Sequence, residues 1–265
     1  MLSKKIILAN WKMQLSYDET LKLAEEIKAK LKNHKLESID LGLCPDFLTI
    51  AKLSEILKDT RIDLGSQDTF WENKGAYTGE VSIDNLKHLG VKFVMIGHSE
   101  RRQNLAESEE MINKKVKLTL KNGLIPVLCV GENLEERRNN QKDLVLMRQI
   151  KSALAGVNIN DIDQLIIAYE PIWSISTTKV KQEIETVEVE YTNKLIKQIV
   201  LDNVFSENDK ILIKKFEDKI RLIFGGSVKP SNIKDLIQQA HVHGVLVGGA
   251  SLNSESLFNL INNVI

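Results

Sequence analysis

The sequence predicts a single-domain α/β protein that folds as a (β/α)₈ barrel. Eight short runs rich in Ile, Val and Leu recur along its 265 residues. The runs are nearly continuous rather than alternating, as expected of parallel strands that are covered on both faces. Strand followed by helix, repeated over about 250 residues, is typical of such a barrel. The predicted strands are Ile6–Ala9, Ile39–Leu43, Ile62–Gly65, Phe93–Gly97, Ile125–Val130, Leu165–Tyr169, Ile220–Phe224 and Gly244–Val247.

Helices are predicted between the strands from capping residues and helical periodicity. Ser16 and Glu19 form a capping-box pattern at the start of a helix over Tyr17–Leu31. A helix over Ser108–Asn122 is expected to end at Gly123. The other predicted helices are Leu134–Ala155, Val187–Val204, Ser231–Ala240 and Ser254–Val264. The polar stretch 202–219 is interpreted as a possible insertion, a surface loop within one domain over 1–265.

A doubly wound open sheet is the alternative fold. That fold usually has fewer strands and a glycine fingerprint after the first strand. Here the first apolar run continues into Asn10-Trp11-Lys12, with no glycine nearby. The open sheet is therefore less favoured than the barrel.

Composition excludes several classes of function. The 36 basic and 36 acidic side chains cancel, so we expect neither a nucleic-acid nor an anionic-membrane partner. No apolar run approaches the length of a membrane span, and the N-terminal residues do not resemble a signal peptide. Cys44 and Cys129 form neither a metal-binding spacing nor a disulfide framework. We expect a cytoplasmic protein that uses no metal.

One carboxylate stands out at the end of the sixth predicted strand. Glu170 follows the apolar run directly and precedes Pro171 and, two residues later, Trp173. Proline ends a strand ladder, so Glu170 should lie where the strand passes into a loop. A carboxylate on a rigid strand end, beside a large ring that can exclude water, suits a general base.

Other polar residues and glycine pairs also follow the predicted strands. In a barrel of this kind, the chemistry takes place where strands end and the following loops begin. Two glycine pairs on adjacent strands would let backbone N–H groups approach a phosphate, and a lysine would add a compact cation. The residues at these ends are Asn10, Lys12, His98, Glu100, Glu132, Glu170, Gly225-Gly226-Ser227 and Gly248-Gly249.

Seven motifs at these positions resemble those of the triosephosphate isomerase family. They occur in the order of that family and extend over essentially the whole chain. The motifs are Asn10-Trp11-Lys12-Met13, Tyr77-Thr78-Gly79-Glu80, Gly97-His98-Ser99-Glu100-Arg101-Arg102, Cys129-Val130-Gly131-Glu132, Ala168-Tyr169-Glu170-Pro171-Ile172-Trp173, Gly225-Gly226-Ser227-Val228 and Val247-Gly248-Gly249-Ala250-Ser251-Leu252.

The resemblance implies interconversion of dihydroxyacetone phosphate and D-glyceraldehyde 3-phosphate in glycolysis and gluconeogenesis, without a cofactor. It implies that Glu170 is the base and that a neutral His98 polarises the carbonyl group. It assigns Lys12 and Asn10 to the reacting oxygens and the phosphate, and Glu100 to orienting them. The phosphate would also be bound at Ser176, Ser227, Gly248 and Gly249. The segment 171–179 would be a lid, and a homodimer would form through the loop 68–82, with Thr78 reaching the neighbouring site.

The sequence departs from the family pattern in the implied lid. The family usually has glycine where Ser176 and Thr178 stand, and tyrosine where Phe224 stands. Loss of the tyrosine hydroxyl would remove a hydrogen bond worth on the order of 1 kcal/mol. The expected consequences are lower turnover and some loss of the intermediate as methylglyoxal and phosphate. Glycines at 176 and 178 together with Phe224→Tyr would then raise the rate.

Three alternative functions remain open at this point. A Schiff-base aldolase would need a lysine in the middle of a strand, and none of the eight apolar runs contains one. A metal-dependent epimerase would need a cluster of histidines and carboxylates at the strand ends. The third alternative is a catalytically weakened or non-catalytic binding descendant of the same barrel, which the lid changes favour and the intact Asn10, Lys12, His98 and Glu170 oppose.

Overall fold

The barrel predicted from the sequence is present in a computed structural model of the chain, which describes residues 4–34, 36–158, 161, 164–175, 183–204, 214, 216–217 and 219–265. Eight parallel strands follow one another in sequence order, and the first pairs with the eighth to close the barrel. They are β1 (Lys5–Asn10), β2 (Ile39–Cys44), β3 (Ile62–Ser66), β4 (Val91–Ile96), β5 (Ile125–Val130), β6 (Ile166–Tyr169), β7 (Arg221–Phe224) and β8 (Gly244–Val247). The predicted fold class is confirmed.

Helices surround the strands on the outside of the barrel. Those of the described residues are α1 (Tyr17–Leu31), α2 (Ile50–Ile56), α3 (Ile83–His88), α4 (Ser99–Asn104), α5 (Glu109–Lys121), α6 (Leu134–Arg138), α7 (Lys142–Leu154), α8 (Thr186–Val204), α9 (Ile233–Ile237) and α10 (Ser254–Asn262). The predicted capping box at Ser16 and Glu19 is confirmed, since each side chain bonds the other's backbone N–H. No helix among these residues is both long and apolar enough to cross a membrane.

Several predicted helix boundaries are wrong. Residues 134–155 form two helices, α6 and α7, because Asn140 adopts a left-handed conformation with φ of 54° and interrupts the helical ladder. Helix α9 is five residues long rather than the ten predicted. The short helices α2, α3 and α4 were not predicted, since six or seven residues carry little helical periodicity. Most of the possible insertion at 202–219 lies outside the described residues.

The core has two layers, separated by the sheet. The inner layer fills the barrel and consists of Ile6, Leu8, Cys44, Phe93, Met95, Val127, Cys129, Ile166, Ala168, Ile223 and Leu246. The outer layer is larger and packs the other face of each strand against the helices. Because both faces are covered, the strands read as continuous apolar runs, which explains why they could be located so well from the sequence.

The seam between β7 and β8 is closed by a histidine at the N-terminal end of β8. Only Ile223 and Phe224 are in register with β8 residues along this seam. Below them, the N–H of His243 donates to the carbonyl of Leu222 at 2.8 Å, and the N–H of Leu222 donates to Nδ1 of His243 at 3.0 Å. Nδ1 therefore carries no proton. Burial, together with nearby cations such as Lys5, lowers the pKa of His243 from 6.5 to about 4.

This histidine should make the stability of the protein depend on pH. Below pH 6.5 the unfolded chain binds a proton at His243, whereas the folded chain does not until about pH 4. The stabilisation is therefore lost as the pH falls through that window, by about 2 kcal/mol at pH 4.5. We expect His243→Asn, which keeps an acceptor that does not titrate, to reduce the difference in the free energy of unfolding between pH 7.5 and 4.5.

Urea denaturation at both pH values measures this difference. The matched control is His88→Asn, since His88 is an exposed residue on α3. An unchanged pH dependence in His243→Asn, or an equal change in His88→Asn, would contradict the assignment.

Candidate active site

The carboxyl ends of the strands bring together most of the residues that the sequence singles out. Asn10 ends β1 and is buried, and its Oδ1 accepts the backbone N–H of Lys12 at 3.0 Å. Lys12 has a φ of 55°, a conformation that is uncommon for a residue with a side chain. Its Nζ lies 2.6 Å from Oε1 of Glu100, so this ion pair joins the end of β1 to helix α4.

His98 lies directly after β4 and caps helix α4. Its Nδ1 accepts the backbone N–H of Glu100 at 3.2 Å, so Nδ1 carries no proton. The other ring nitrogen, Nε2, lies 3.2 Å from Oε1 of Glu170. The imidazole of His98 is therefore held as a neutral ring with one N–H available to donate at Nε2.

Glu170 follows β6 and is 2% exposed. Its Oε2 accepts the backbone N–H of Ser99 at 3.2 Å, and its own N–H donates to the carbonyl of Val130 at 2.8 Å. A Cβ at Gly131 would lie 1.8 Å from the carbonyl oxygen of Glu170, so only glycine fits there. The predicted place of Glu170 at the end of a strand is confirmed, and its carboxylate lies beside His98.

An open cavity of about 370 Å³ lies beside these groups. It is large enough for a small phosphorylated substrate. Its lining includes Asn10, Lys12, Gln67, His98 and Glu100.

The phosphate-binding residues implied by the resemblance are only partly described. Gly248 and Gly249 follow β8 and line a second, small cavity of about 40 Å³ with Asn10 and Lys12. Ser227 follows β7, the neighbouring strand, so it lies at the same end of the barrel. Ser176 lies outside the described residues, as do Thr178 and the rest of 176–182.

A buried carboxylate beside Glu170 was not assigned a role from the sequence. Glu132 follows β5 and is fully buried. Its Oε1 accepts the indole N–H of Trp173 at 2.8 Å, and both of its oxygens lie 3.2 Å from the hydroxyl of Tyr169. The backbone N–H of Ile172 donates to the carbonyl of Glu132 at 3.0 Å. Burial raises the pKa of Glu132, and the bonds from Trp173 and Tyr169 oppose that shift.

A glutamine after β3 was also missed. The side-chain amide of Gln67 donates to the carbonyls of Lys12 at 2.8 Å and Cys44 at 3.0 Å. It thereby fixes the backbone on which Lys12 stands. Its place directly after the third strand is the same signal that identified the other residues.

Phe224, where the family has tyrosine, is buried and packs beneath the glycine pair. A Cβ at Gly226 would lie 2.3 Å from Cζ of Phe224, the atom to which a tyrosine hydroxyl would be attached. A hydroxyl at this atom would therefore lie close to the Gly226 backbone.

Two strands contain a lysine near their first residue, outside the apolar runs identified from the sequence. Strand β4 begins at Val91 and therefore includes Lys92, and β1 includes Lys5. Both lysines lie at the N-terminal ends of their strands, where Lys92 pairs with Asp63 at 2.6 Å and Lys5 bonds the carbonyl of Val242. They are at the opposite end of the barrel from His98 and Glu170. A larger cleft of about 660 Å³ also lies at that end and is lined by none of the candidate residues.

The chain is similar to known proteins over nearly its whole length. A family model described as triosephosphate isomerase matches residues 5–264. The triosephosphate isomerase of Thermoanaerobacter pseudethanolicus is 42% identical over 259 residues, which cover 98% of this chain and 99% of that protein. The triosephosphate isomerase of Dictyoglomus turgidum is 40% identical over 260 residues, or 98% and 99% of the two chains. That of Clostridium tetani is 40% identical over 261 residues, or 98% and 97%. The chain therefore belongs to the triosephosphate isomerase family.

Proposed function

We propose that this protein interconverts dihydroxyacetone phosphate and D-glyceraldehyde 3-phosphate, the reaction of its family. The observation that carries the proposal is the meeting of His98 and Glu170, from strands far apart in the chain, with Nε2 and Oε1 3.2 Å apart. Lys12 and Glu100 join them at the same end of the barrel. A base, a neutral hydrogen-bond donor and a cation are the groups that an aldose–ketose isomerisation needs.

Glu170 would take a proton from the carbon beside the substrate carbonyl. The electron pair of the broken C–H bond moves toward the carbonyl oxygen and forms an enediolate. Glu170 then returns the proton to the neighbouring carbon. Nε2–H of His98 would donate to the carbonyl oxygen as charge develops on it. The proton of the neighbouring hydroxyl group would then pass by way of the imidazole to that oxygen, so the old carbonyl becomes a hydroxyl group and the old hydroxyl becomes the new carbonyl. In triosephosphate isomerases, a neutral histidine polarises the substrate carbonyl in this way.

Lys12, Asn10 and Glu100 would complete the site. Nζ of Lys12 supplies a positive charge near the developing oxyanion and the phosphate. Asn10 would add a hydrogen bond to the reacting oxygens. Glu100 holds Nζ of Lys12 at 2.6 Å and so orients it.

The phosphate would bind where β7 and β8 end. Backbone N–H groups at Ser227, Gly248 and Gly249 can approach a phosphate closely, because glycine adds no side chain. A phosphate site after the last two strands is common in this fold. Ser176 would add a further N–H donor from the segment outside the described residues.

The alternative of a weakened or non-catalytic descendant gains no support from the described residues. Asn10, Lys12, His98 and Glu170 occupy one end of the barrel, and the relatives compared are named as isomerases. A binding protein would have no need for a carboxylate placed beside a neutral imidazole.

We also propose that the protein acts as a homodimer through the loop 68–82. Five large apolar side chains are exposed in this loop or in segments that follow β1, β2 and α4. They are Met13 after β1, Phe47 and Leu48 after β2, Tyr77 in the loop and Leu105 after α4. Two of them, Met13 and Leu105, line the cavity that contains Lys12 and His98. A second copy would cover these side chains, and Thr78 would then reach the neighbouring site. A C₂ dimer of this kind is the commonest oligomer.

With Cys44 and Cys129 as free thiols, we expect the protein to work in the reducing cytoplasm.

The role of the base is tested by Glu170→Gln. An amide cannot accept the proton, so we expect the turnover number to fall by roughly 10³-fold. A coupled assay with glyceraldehyde 3-phosphate measures the rate, and exchange of solvent deuterium into the substrate measures the proton transfer itself. Binding of phosphoglycolate should be retained.

The exposed Glu135 provides the matched control, and Glu135→Gln should leave the rate unchanged. A Glu170→Gln variant within about twofold of wild type would exclude Glu170 as the base. Phosphoglycolate binding by a wild-type protein that neither turns over nor exchanges deuterium would favour the non-catalytic descendant.

The dimer is tested by Leu48→Glu. Leu48 is 86% exposed, so the change should not disturb the folded monomer. In the proposed interface, however, it would bury an unpaired charge, and we expect monomers at micromolar concentration. Sedimentation equilibrium measures the mass. Leu144→Glu, at a leucine 61% exposed on α7, is the control and should leave the mass unchanged. If both variants keep the mass of the wild type, the proposed interface is wrong.

A further inference from the structure

We propose that Arg137, on α6, is a positioning residue that holds the segment 170–173 and thereby aims Glu170. Its guanidinium contacts Trp173 and Glu188 and lies near Glu132. None of these contacts is with the substrate, so Arg137 would act through the base rather than on the reaction itself. The proposal rests on the proposed function, because it assigns Arg137 to the isomerisation.

The first contact is with the indole of Trp173. Cζ of Arg137 lies 3.9 Å from the centroid of the ring, which is stacking distance for a guanidinium. The opposite constraint comes from Glu132, whose Oε1 accepts the indole N–H at 2.8 Å. The ring is therefore fixed both at its face and at its edge. The planar guanidinium can stack flat on the ring, which the compact ammonium group of lysine cannot do.

The second contact is with Glu188, in the first turn of α8. The guanidinium makes a two-pronged pair with this carboxylate, Nη1 to Oε1 and Nη2 to Oε2, the latter at 3.0 Å. The pair holds the pKa of Glu188 below its usual value. Trp173 lies before the segment 176–182 and Glu188 lies after it. Arg137 therefore links the two described flanks of that segment to α6.

The third interaction of Arg137 is electrostatic and is with Glu132. Glu132 is a fully buried carboxylate, and Nη1 of Arg137 lies 4.0 Å from its Oε1. The charged and titratable groups that face Glu132 are Arg137 from α6, Lys142 from α7, Tyr169 from β6 and Glu188 from α8. Of the two cations, Arg137 also stacks on Trp173. It offsets the charge of the carboxylate that Trp173 and Tyr169 share.

These contacts reach the base through the two residues that lie between Trp173 and Glu170. Trp173 is joined to Glu170 by Pro171 and Ile172, and the N–H groups of Glu170 and Ile172 bond the carbonyls of Val130 and Glu132 at 2.8 and 3.0 Å. Pro171 has a fixed φ and Ile172–Ser174 forms a 3₁₀ turn, so few backbone torsions remain that could absorb a displacement of Trp173 before it reaches Glu170. The 3.2 Å separation between Glu170 and His98 should therefore depend on Arg137.

The test compares Arg137→Lys and Arg137→Gln with wild type. We expect kcat to fall roughly tenfold in the lysine variant and further in the glutamine variant, with KM within about twofold, because positioning of the base is lost and phosphate binding is not. The acid limb of the kcat–pH profile should move to higher pH in Arg137→Gln, because protonation of Glu132 becomes easier. Arg138→Gln, at the exposed neighbour on α6, is the matched control.

A second measurement reports on Trp173 directly. The chain has three tryptophans, so 5-fluorotryptophan labelling gives three fluorine resonances, and Trp173→Phe identifies the one from Trp173. In Arg137→Lys we expect this resonance to shift or broaden while the other two remain in place. Arg138→Gln should change none of them.

The outcomes separate this proposal from the proposed function. A wild-type protein without isomerase activity would overturn the isomerisation, while the fluorine spectra would still test the contact with Trp173. A wild-type protein that turns over while both Arg137 variants keep its kcat and pH profile would overturn the positioning role alone. A fall in kcat with an unmoved Trp173 resonance would also overturn it, because Arg137 would then act by another route.

Discussion

The close approach of two loops, one after β5 and one after β6, decides where the base points. The chain passes the carbonyl of Glu170 so near to Gly131 that a side chain at that position would overlap it, with Cβ only 1.8 Å from the oxygen. Backbone bonds from Glu170 to Val130 and from Ile172 to Glu132 hold the two loops in register. The carboxylate of Glu170 is then directed across the barrel mouth to His98. A wider separation would leave these N–H groups buried and unpaired, which costs about 1–3 kcal/mol each.

This close approach of the two loops buries the carboxylate of Glu132 away from water. Once the loops have met, Glu132 has no access to solvent and its pKa rises. Desolvation of this carboxylate is offset by two fixed donors, the hydroxyl of Tyr169 and the indole N–H of Trp173, and by the nearby cation of Arg137. Such a network rigidifies its surroundings only when every member is satisfied. The rigid support of the base and the burial of a second carboxylate are thus two consequences of the same packing.

The sequence predicted the bounds of the strands better than those of the helices. It predicted least well which side chains support the candidate catalytic residues. Strands buried on both faces appear as continuous apolar runs, so β5 and β8 were located to the residue. The break at Asn140 depends on one left-handed residue, which periodicity does not detect. The position of the candidate site was largely predictable, because a barrel of parallel strands directs the carboxyl end of every strand to the same rim. Gln67 was missed although it obeys that rule, and Arg137 was missed because it lies a few residues beyond a strand end, on a helix.

The two ends of the barrel are far enough apart for a histidine to stabilise the sheet at one end and for another to take part in the candidate active site at the other. Strands of four to six residues separate the ends, a distance of about 15–20 Å at the usual rise of a strand. At the N-terminal end, the neutral imidazole of His243 completes the β7–β8 seam, and Arg221 pairs with Asp40 at 2.9 Å. At the other end, the neutral imidazole of His98 faces a carboxylate. The same device, a backbone N–H donating to Nδ1, fixes the tautomer of both rings. In the first case it joins two strands, and in the second it leaves Nε2–H facing the carboxylate of Glu170, so the neighbours of the ring decide whether the bond serves stability or chemistry.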